Sequence, residues 1–300
     1  MQQPLAYNHH TLAHPSHPRS GPVVRAAAAQ LAPVLGDPGG NRARSLDALA
    51  AAADRGARLV VLPELCTSGY VFADAAEARA VAEPADGPAV RAWVQLARAR
   101  DLVVVAGLCE LDEDGALRNS AVVVDASGLR AIYRKTHLWD REPDVFVRGD
   151  EPAPVVDTAA GRIGLAVCYD AAFPEHLRAA ALAGADVVAV PMNSPAPPRP
   201  TEPIAIELAI AMAAANANRV HVVQADRTGV ERGVRWAQAS AIVDPDGSVV
   251  AGPVEGEALL VADLDLGRAR DKSWGERNDV LADRRPELYL QHDPEEPKPR

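Results

Sequence analysis

Three polar side chains stand beside apolar runs where another hydrophobe or a turn residue is expected: Glu64, Lys135 and Cys168. Cys168 lies in Gly161-Arg162-Ile163-Gly164-Leu165-Ala166-Val167-Cys168-Tyr169-Asp170-Ala171-Ala172-Phe173-Pro174-Glu175. That stretch reads as a short apolar strand, a turn carrying the thiol, and a helix opened by Pro174, whose missing N–H costs nothing at a first helical position. A strand-to-helix joint holds a side chain outward on a rigid base, and a helix N-terminus favours negative charge. A thiolate nucleophile is the chemistry such a joint would support. Each residue also has a plain structural explanation. Cys168 could be a small buried hydrophobe, Glu64 a turn carboxylate after Leu59-Val60-Val61-Leu62-Pro63, and Lys135 half of a solvated Arg134-Lys135 pair.

The elements that must position these groups alternate along the chain. A strand is expected over 23–31, stopped by Asp37, Pro38 and Gly39, and a helix over 41–55 with Leu46, Leu49, Ala50 and Ala53 at helical spacing and Gly56 as its stop. The fully apolar run 59–62 reads as a strand covered by helices and puts Glu64 at its end, where sites in such sheets gather. Further helices are expected over 88–100, 175–183 and 204–218. Strands are expected over 102–108, 121–124, 129–133, 187–190, 220–224, 239–243, 248–251 and 258–261. Asp125-Ala126-Ser127-Gly128 and Asp244-Pro245-Asp246-Gly247 are hairpin turns. Helices interleaved with strand pairs point to an α/β protein in which sheets pack on each other with helices outside. No period of a repeat architecture recurs.

Composition narrows the setting. Three hundred residues with 48% hydrophobic content bury a full core, and one α/β domain is the simplest arrangement. A net charge of -10 without a Lys/Arg run argues against nucleic acid and anionic membrane partners. Cys66, Cys109 and Cys168 lack metal-ligand spacing, so neither a disulfide framework nor a zinc site is implied and a reducing cytoplasm is expected. Residues 1–21, with His9, His10, His14 and His17 among prolines, hold no apolar run for a signal peptide or membrane span and read as a disordered extension.

Taken together, Leu62-Pro63-Glu64-Leu65 with Ser68-Gly69-Tyr70, then Tyr133-Arg134-Lys135-Thr136-His137-Leu138, then Cys168-Tyr169-Asp170 with Phe173-Pro174-Glu175, resemble the three catalytic motifs of the nitrilase superfamily of carbon–nitrogen hydrolases, in the family's order. Trp139 to Glu142, Gly149-Asp150, 225–229, 240–243 and 283–289 agree, so the resemblance covers roughly Val23 to Tyr289. It implies a four-layer α-β-β-α sandwich, paired into eight-layer dimers or larger homo-oligomers, with a hydrolase domain over 22–265 and a C-terminal extension over 266–300 at a subunit interface. It implies no cofactor and no metal.

In that resemblance Cys168 is the nucleophile that attacks an amide-type carbon to form a thioester. Glu64 takes the thiol proton, passes one to the leaving amine and later activates water. The Lys135 ammonium, with the Tyr169 backbone N–H, sits beside the developing oxyanion and favours the thiolate. Glu142, seven positions after Lys135, is the second glutamate that orients lysine and substrate. Tyr70, Trp139, Tyr169 and Asn193 are the expected pocket residues.

Rival thiol chemistries fit less well. His176 and His221 lack the spacing and motif support of a papain-like partner, and a nucleophile elbow needs glycines where Ala166 and Asp170 stand. Tyr169-Asp170 after the nucleophile matches amide-hydrolysing branches, whereas nitrile-hydrolysing members place Trp-Glu there. The expected reaction is therefore hydrolysis of a small amide to a carboxylic acid and ammonia. An N-carbamoyl amine hydrolase, a nitrilase and an inactive scaffold of the same fold are the alternatives. Ala172, where several amidase branches carry Arg, and Gln238, where Gly is common, depart from the pattern on the carbonyl side of the pocket.

Overall fold

The computed structural model describes residues 21–196 and 204–289. The first half runs β1 (Val23–Gln30), α1 (Pro38–Asp54), β2 (Leu59–Val61), α2 (Ala75–Arg79), α3 (Pro88–Arg100), β3 (Val103–Leu111), β4 (Leu117–Asp125) and β5 (Gly128–Arg134). The second begins β6 (Val155–Thr158), β7 (Gly161–Leu165), α4 (Pro174–Leu182), β8 (Val187–Pro191), α5 (Ile206–Asn218) and β9 (His221–Ala225). It continues β10 (Val230–Glu231), β11 (Val234–Arg235), β12 (Ala241–Val243), β13 (Val249–Ala251), β14 (Ala258–Asp265), α6 (Leu266–Arg270) and α7 (Pro286–Tyr289).

Two six-stranded sheets result, ordered β14-β1-β2-β3-β4-β5 and β13-β12-β9-β8-β7-β6. Each has a parallel trio at its centre, β1-β2-β3 in one and β7-β8-β9 in the other, flanked by antiparallel strands. The period-two alternation of the strands assigns the layers. In β1, Ala26 and Ala28 face the space between the sheets while Ala27 and Ala29 face helices α1 and α3. In β8, Val187 and Ala189 join the same inter-sheet core while Val188 and Val190 pack on α4 and α5. Both faces of the central strands are therefore apolar, as in sheets covered on each side. This is the expected α-β-β-α sandwich.

The helices at 38–54, 88–100, 174–182 and 206–218 fall where the 3.6-residue pattern places them. The pattern does not reveal the edge strand β6, the two-residue strands β10 and β11, or the five-residue helices α2 and α6. Each is too short to establish a period. The domain's own packing also runs past residue 265, since Leu266 joins the inter-sheet core and Ala269 is fully buried. Beyond α6 the chain leaves Trp274, Leu288 and Tyr289 exposed. The expected disordered extension lies, apart from Gly21, outside the described residues. Among the described residues no helix is long and apolar enough to cross a membrane.

Candidate active site

Glu64, Lys135 and Cys168 stand at the ends of β2, β5 and β7, and each end is fixed by backbone contacts. After β2 the chain turns across β3: Gly107 N–H donates to Pro63 O at 3.1 Å and Cys66 N–H to Gly107 O at 3.3 Å. A side chain at Gly107 would not fit, because its Cβ would lie 2.4 Å from Glu64 Cα. Asn193 Nδ2 donates to Glu64 O at 2.8 Å, tying this turn to the segment after β8 in the other sheet. Lys135 N–H donates to Asn119 O, and Lys135 O accepts from Gly149 N–H at 2.9 Å. Gly149 is again required, because a Cβ there would meet Arg134 O at 2.1 Å.

Cys168 opens a short 3-10 turn, Cys168–Ala172, and has a left-handed φ of 46°. A non-glycine residue in that region costs on the order of 1–3 kcal/mol and persists only where its surroundings impose it. Asp170 supplies the constraint. Its Oδ2 accepts from Val167 N–H and Tyr133 Oη, both at 2.9 Å, and its Oδ1 accepts from His137 N–H at 3.1 Å. The same carboxylate thus fixes the thiol turn and the chain that follows Lys135. His137 Nδ1 lies 2.7 Å from Asp170 Oδ1, and the imidazole stacks on Phe173. His137, Asp170 and His176 bring possible metal-ligand atoms within 4.8 Å of one another, yet both Asp170 oxygens already accept from protein donors. Their role in this arrangement is to hold the turn.

The charged groups converge in the interior. Lys135 Nζ donates to Glu64 Oε1 at 2.8 Å and to Glu142 Oε1 at 2.9 Å, with lysine and Glu64 side chains fully buried. Asn119 Nδ2 donates to the same two oxygens at 2.7 and 3.1 Å, Tyr70 Oη donates to Glu142 Oε1 at 2.8 Å, and Trp139 N–H donates to Glu142 Oε2. Glu64 Oε2 has no hydrogen-bond partner among the described residues. Burial drives the Glu64 carboxyl up to about 7, against the pull of Lys135. The same burial disfavours the lysine's charge, but the two carboxylates outweigh it and hold the ammonium protonated above its ordinary range.

The surroundings of Cys168 act against its ionisation. Burial and the negative charge of Glu64 push its thiol well above the ordinary range, outweighing Lys135 and the Asn193 backbone N–H that hydrogen-bonds the sulfur. Two carboxylates and one ammonium thus surround the sulfur, a balance that opposes the thiolate favoured by the strand-to-helix joint.

Of these groups, Glu142 and Cys168 open onto a cavity of about 730 Å³ with predominantly apolar walls, whereas Glu64 and Lys135 are buried and do not line it. Tyr70, Trp139 and Tyr169 line it as expected, together with Glu142 and Cys168. Glu231 Oε1 accepts from the backbone N–H groups of Tyr70 and Val71, and the Tyr70 ring packs edge-on against Trp236. Asn193 does not line the cavity. Its side chain is fully buried, with Nδ2 donating to Glu64 O, while its neighbours Met192 and Ser194 form the wall. Of the two departures from the family pattern, Ala172 lines the cavity and Gln238 does not. Gln238 has a φ of 55°, the conformation for which glycine is suited, and its Oε1 accepts from Thr228 Oγ1 and Gly256 N–H. Sequence reasoning missed Asn119, whose only signal is a polar start, Arg118-Asn119-Ser120, to a strand that continues as an apolar run, and Glu231.

Residues 25–272 match the family model described as carbon-nitrogen hydrolase. The chain belongs to the carbon–nitrogen hydrolase family. This hydrolase is 37% identical to a nitrilase of Pyrococcus abyssi over 272 residues, which span 89% of the chain and 100% of the relative. It is 38% identical to an (R)-stereoselective amidase of a Pseudomonas species over 85% of the chain and 89% of that protein. Its fold superposes on the crystal structure of an amidase from Nesterenkonia sp. with a TM-score of 0.73 at 29% identity, covering 88% of this chain and 94% of that one. The carbon–nitrogen hydrolase is thus an enzyme of the nitrilase superfamily, and amide hydrolysis is the general activity that its relatives support.

Proposed function

We propose that the enzyme hydrolyses small primary amides through a thioester on Cys168, yielding a carboxylic acid and ammonia. The observation that carries this reading is the hydrogen-bonded cluster of Glu64, Lys135 and Glu142, whose charges act on Cys168 beside the cavity that Glu142 and Cys168 line. With the sulfur resting as a thiol, attack needs a base, and Glu64 is poised for it with a carboxyl near 7. Glu64 takes the thiol proton as sulfur bonds to the amide carbon. The carbonyl oxygen gains charge beside the Lys135 ammonium and the Tyr169 N–H. Glu64 then protonates the leaving nitrogen, the carbon–nitrogen bond breaks and ammonia departs. Water, deprotonated by Glu64, attacks the thioester; the acid leaves and the thiol is restored. Glu142 and Asn119 keep the lysine aimed and protonated throughout. Structures of the Nesterenkonia amidase with acrylamide, and with the acetamide moiety of fluoroacetamide, added to its active-site cysteine support the assignment of the thiol as nucleophile.

The test is ammonia release from matched primary amides, N-carbamoyl amines and nitriles. The highest kcat/KM is expected for a primary amide. A carbamoyl or nitrile substrate ahead by tenfold would replace the amide reading. No turnover together with slow, pH-insensitive alkylation of Cys168 would mark a scaffold. We also infer that the segment beyond α6 faces a second subunit in a homo-oligomer, because Trp274, Leu288 and Tyr289 are 59%, 47% and 56% exposed. Light scattering should then give a dimer or larger species that truncation before Trp274 weakens. A monomeric full-length protein would refute this. Free cysteines at 66, 109 and 168 suit a reducing cytoplasm.

A further inference from the structure

Inside its exposed rim, the cavity wall carries one charged group that the chemistry above does not use. Glu207, in the first turn of α5, lines the cavity beside Ile206, Ile210 and Met192. Its Oε2 is buried without a hydrogen-bond partner among the described residues, and burial lifts its carboxyl above the ordinary range. The remaining charged lining residues are accounted for. Glu142 is held by Lys135, Asn119 and Tyr70, and Arg141 pairs with Asp144 at the exposed rim, where Asp140 is also solvated. A second carboxylate reinforces the sign: Asp226 accepts from the backbone N–H groups of Ser194, Arg227 and Ala239, and burial, with a smaller contribution from the charge of Glu207, lifts its carboxyl to about 6.

We propose that Glu207 is a specificity residue that selects amides whose acyl chain ends in an ammonium group, seating that cation on its carboxylate while the amide carbonyl lies at Cys168. This rests on the amide reading above. A half-buried carboxylate with one oxygen desolvated and unpartnered among the described residues is costly, and the cost is relieved when a cation of matching position arrives. The apolar walls suit the methylenes of such a chain, and 730 Å³ leaves ample space beyond an amide headgroup. The paired negative fields of Glu207 and Asp226 would also repel a substrate carboxylate.

The test compares kcat/KM for ω-amino amides of three to seven carbons with neutral isosteres, such as 5-aminopentanamide against hexanamide, and with the corresponding carboxylate amides. A charge-assisted hydrogen bond is worth about 10- to 100-fold in binding. In wild type the best ammonium amide should lead its isostere by that factor, and the carboxylate should be the poorest. Glu207→Gln should collapse the ammonium-to-neutral ratio toward one, mainly through KM. A wild-type ratio near one at every length, or a Glu207→Gln enzyme that keeps the preference, overturns the proposal. A turnover-independent readout separates this inference from the one beneath it. Pentylamine, as its ammonium ion, should slow iodoacetamide alkylation of Cys168 in wild type and do so far less in Glu207→Gln and Glu207→Ala; equal protection in all three is a refutation. Protection without hydrolysis of any amide would refute the amide reading while supporting the ammonium site. Hydrolysis of neutral amides without ammonium preference or protection would do the reverse.

Discussion

Replacing Glu64 by glutamine keeps the side chain's shape and its hydrogen bonding to Asn119 and Lys135 while removing its charge, and the structure specifies how the consequence depends on pH. The Glu64 carboxyl titrates near 7 in the folded protein against 4.5 when unperturbed. A group whose folded pKa is raised contributes stability that is fully present below the unfolded value and lost as pH rises through the folded one. Each pKa unit corresponds to about 1.4 kcal/mol, so ionising Glu64 costs wild type roughly 3 kcal/mol between pH 4 and pH 8. Glutamine does not titrate. The stability of Glu64→Gln relative to wild type should therefore improve by roughly that amount across this window, whatever their difference at pH 4. Urea unfolding of both proteins at pH 4, 6 and 8 measures this double difference, from which titrating groups that do not interact with Glu64 cancel. The same variant should lose about 10²- to 10⁴-fold in kcat, and the acidic limb of wild-type kcat/KM should fall near pH 7. A stability difference that is flat with pH, or that turns in favour of wild type as pH rises, would refute the raised carboxyl and with it the base that Cys168 needs.

Cys168→Ala should abolish ammonia release by about 10⁴-fold or more, with unfolding little changed, because the methyl cannot form the covalent bond. Residual turnover above a hundredth of wild type would exclude the thiol. Lys135→Ala leaves Glu64 and Glu142 facing each other without a cation. It should cost about 3–5 kcal/mol in urea unfolding, lower kcat by about 10²- to 10⁴-fold, and move the acidic limb of kcat/KM to higher pH, since the lysine now holds Glu64 down. Gly107→Ala pushes the Glu64 turn aside, and a displacement near 1 Å should reduce kcat by about 10²-fold. Normal kcat in that variant would mean that the turn tolerates the shift.

The strand ends that carry Glu64, Lys135 and Cys168 were legible because each polar residue interrupts a run that burial would otherwise keep apolar. Their convergence was not, since nothing in the spacing of positions 64, 135 and 168 encodes contact; it followed from the motif resemblance. Asn119 stayed hidden because a buried amide within a strand looks like any polar interruption until its two carboxylate partners are known. The electrostatic setting of the thiol stayed hidden for a related reason. Helix position is visible in sequence, whereas the balance of two carboxylates, one ammonium and a desolvated sulfur is a property of three-dimensional packing. Asn193 shows the limit of motif neighbourhood: adjacent to wall residues in sequence, it turns its side chain to the backbone of Glu64.

The placement of β14 has a consequence for how the molecule is made. Its residues 258–265 pair with 23–30, so β1 has β14 on one side and β2 on the other. Pairings of such sequence separation raise contact order and slow folding, because loop closure must precede the contacts that reward it. During synthesis at about 5–20 residues per second, β1 waits on the order of tens of seconds for β14 to emerge, with one edge of its sheet open. The first half of the chain is therefore not an independent folding unit, although it carries two of the three catalytic groups. Fragments ending before residue 258 should be recovered aggregated or chaperone-bound, while a circular permutant that keeps α6, joins the C-terminal end to residue 21 through a linker and opens a surface turn elsewhere would fold with its most distant pairing made local.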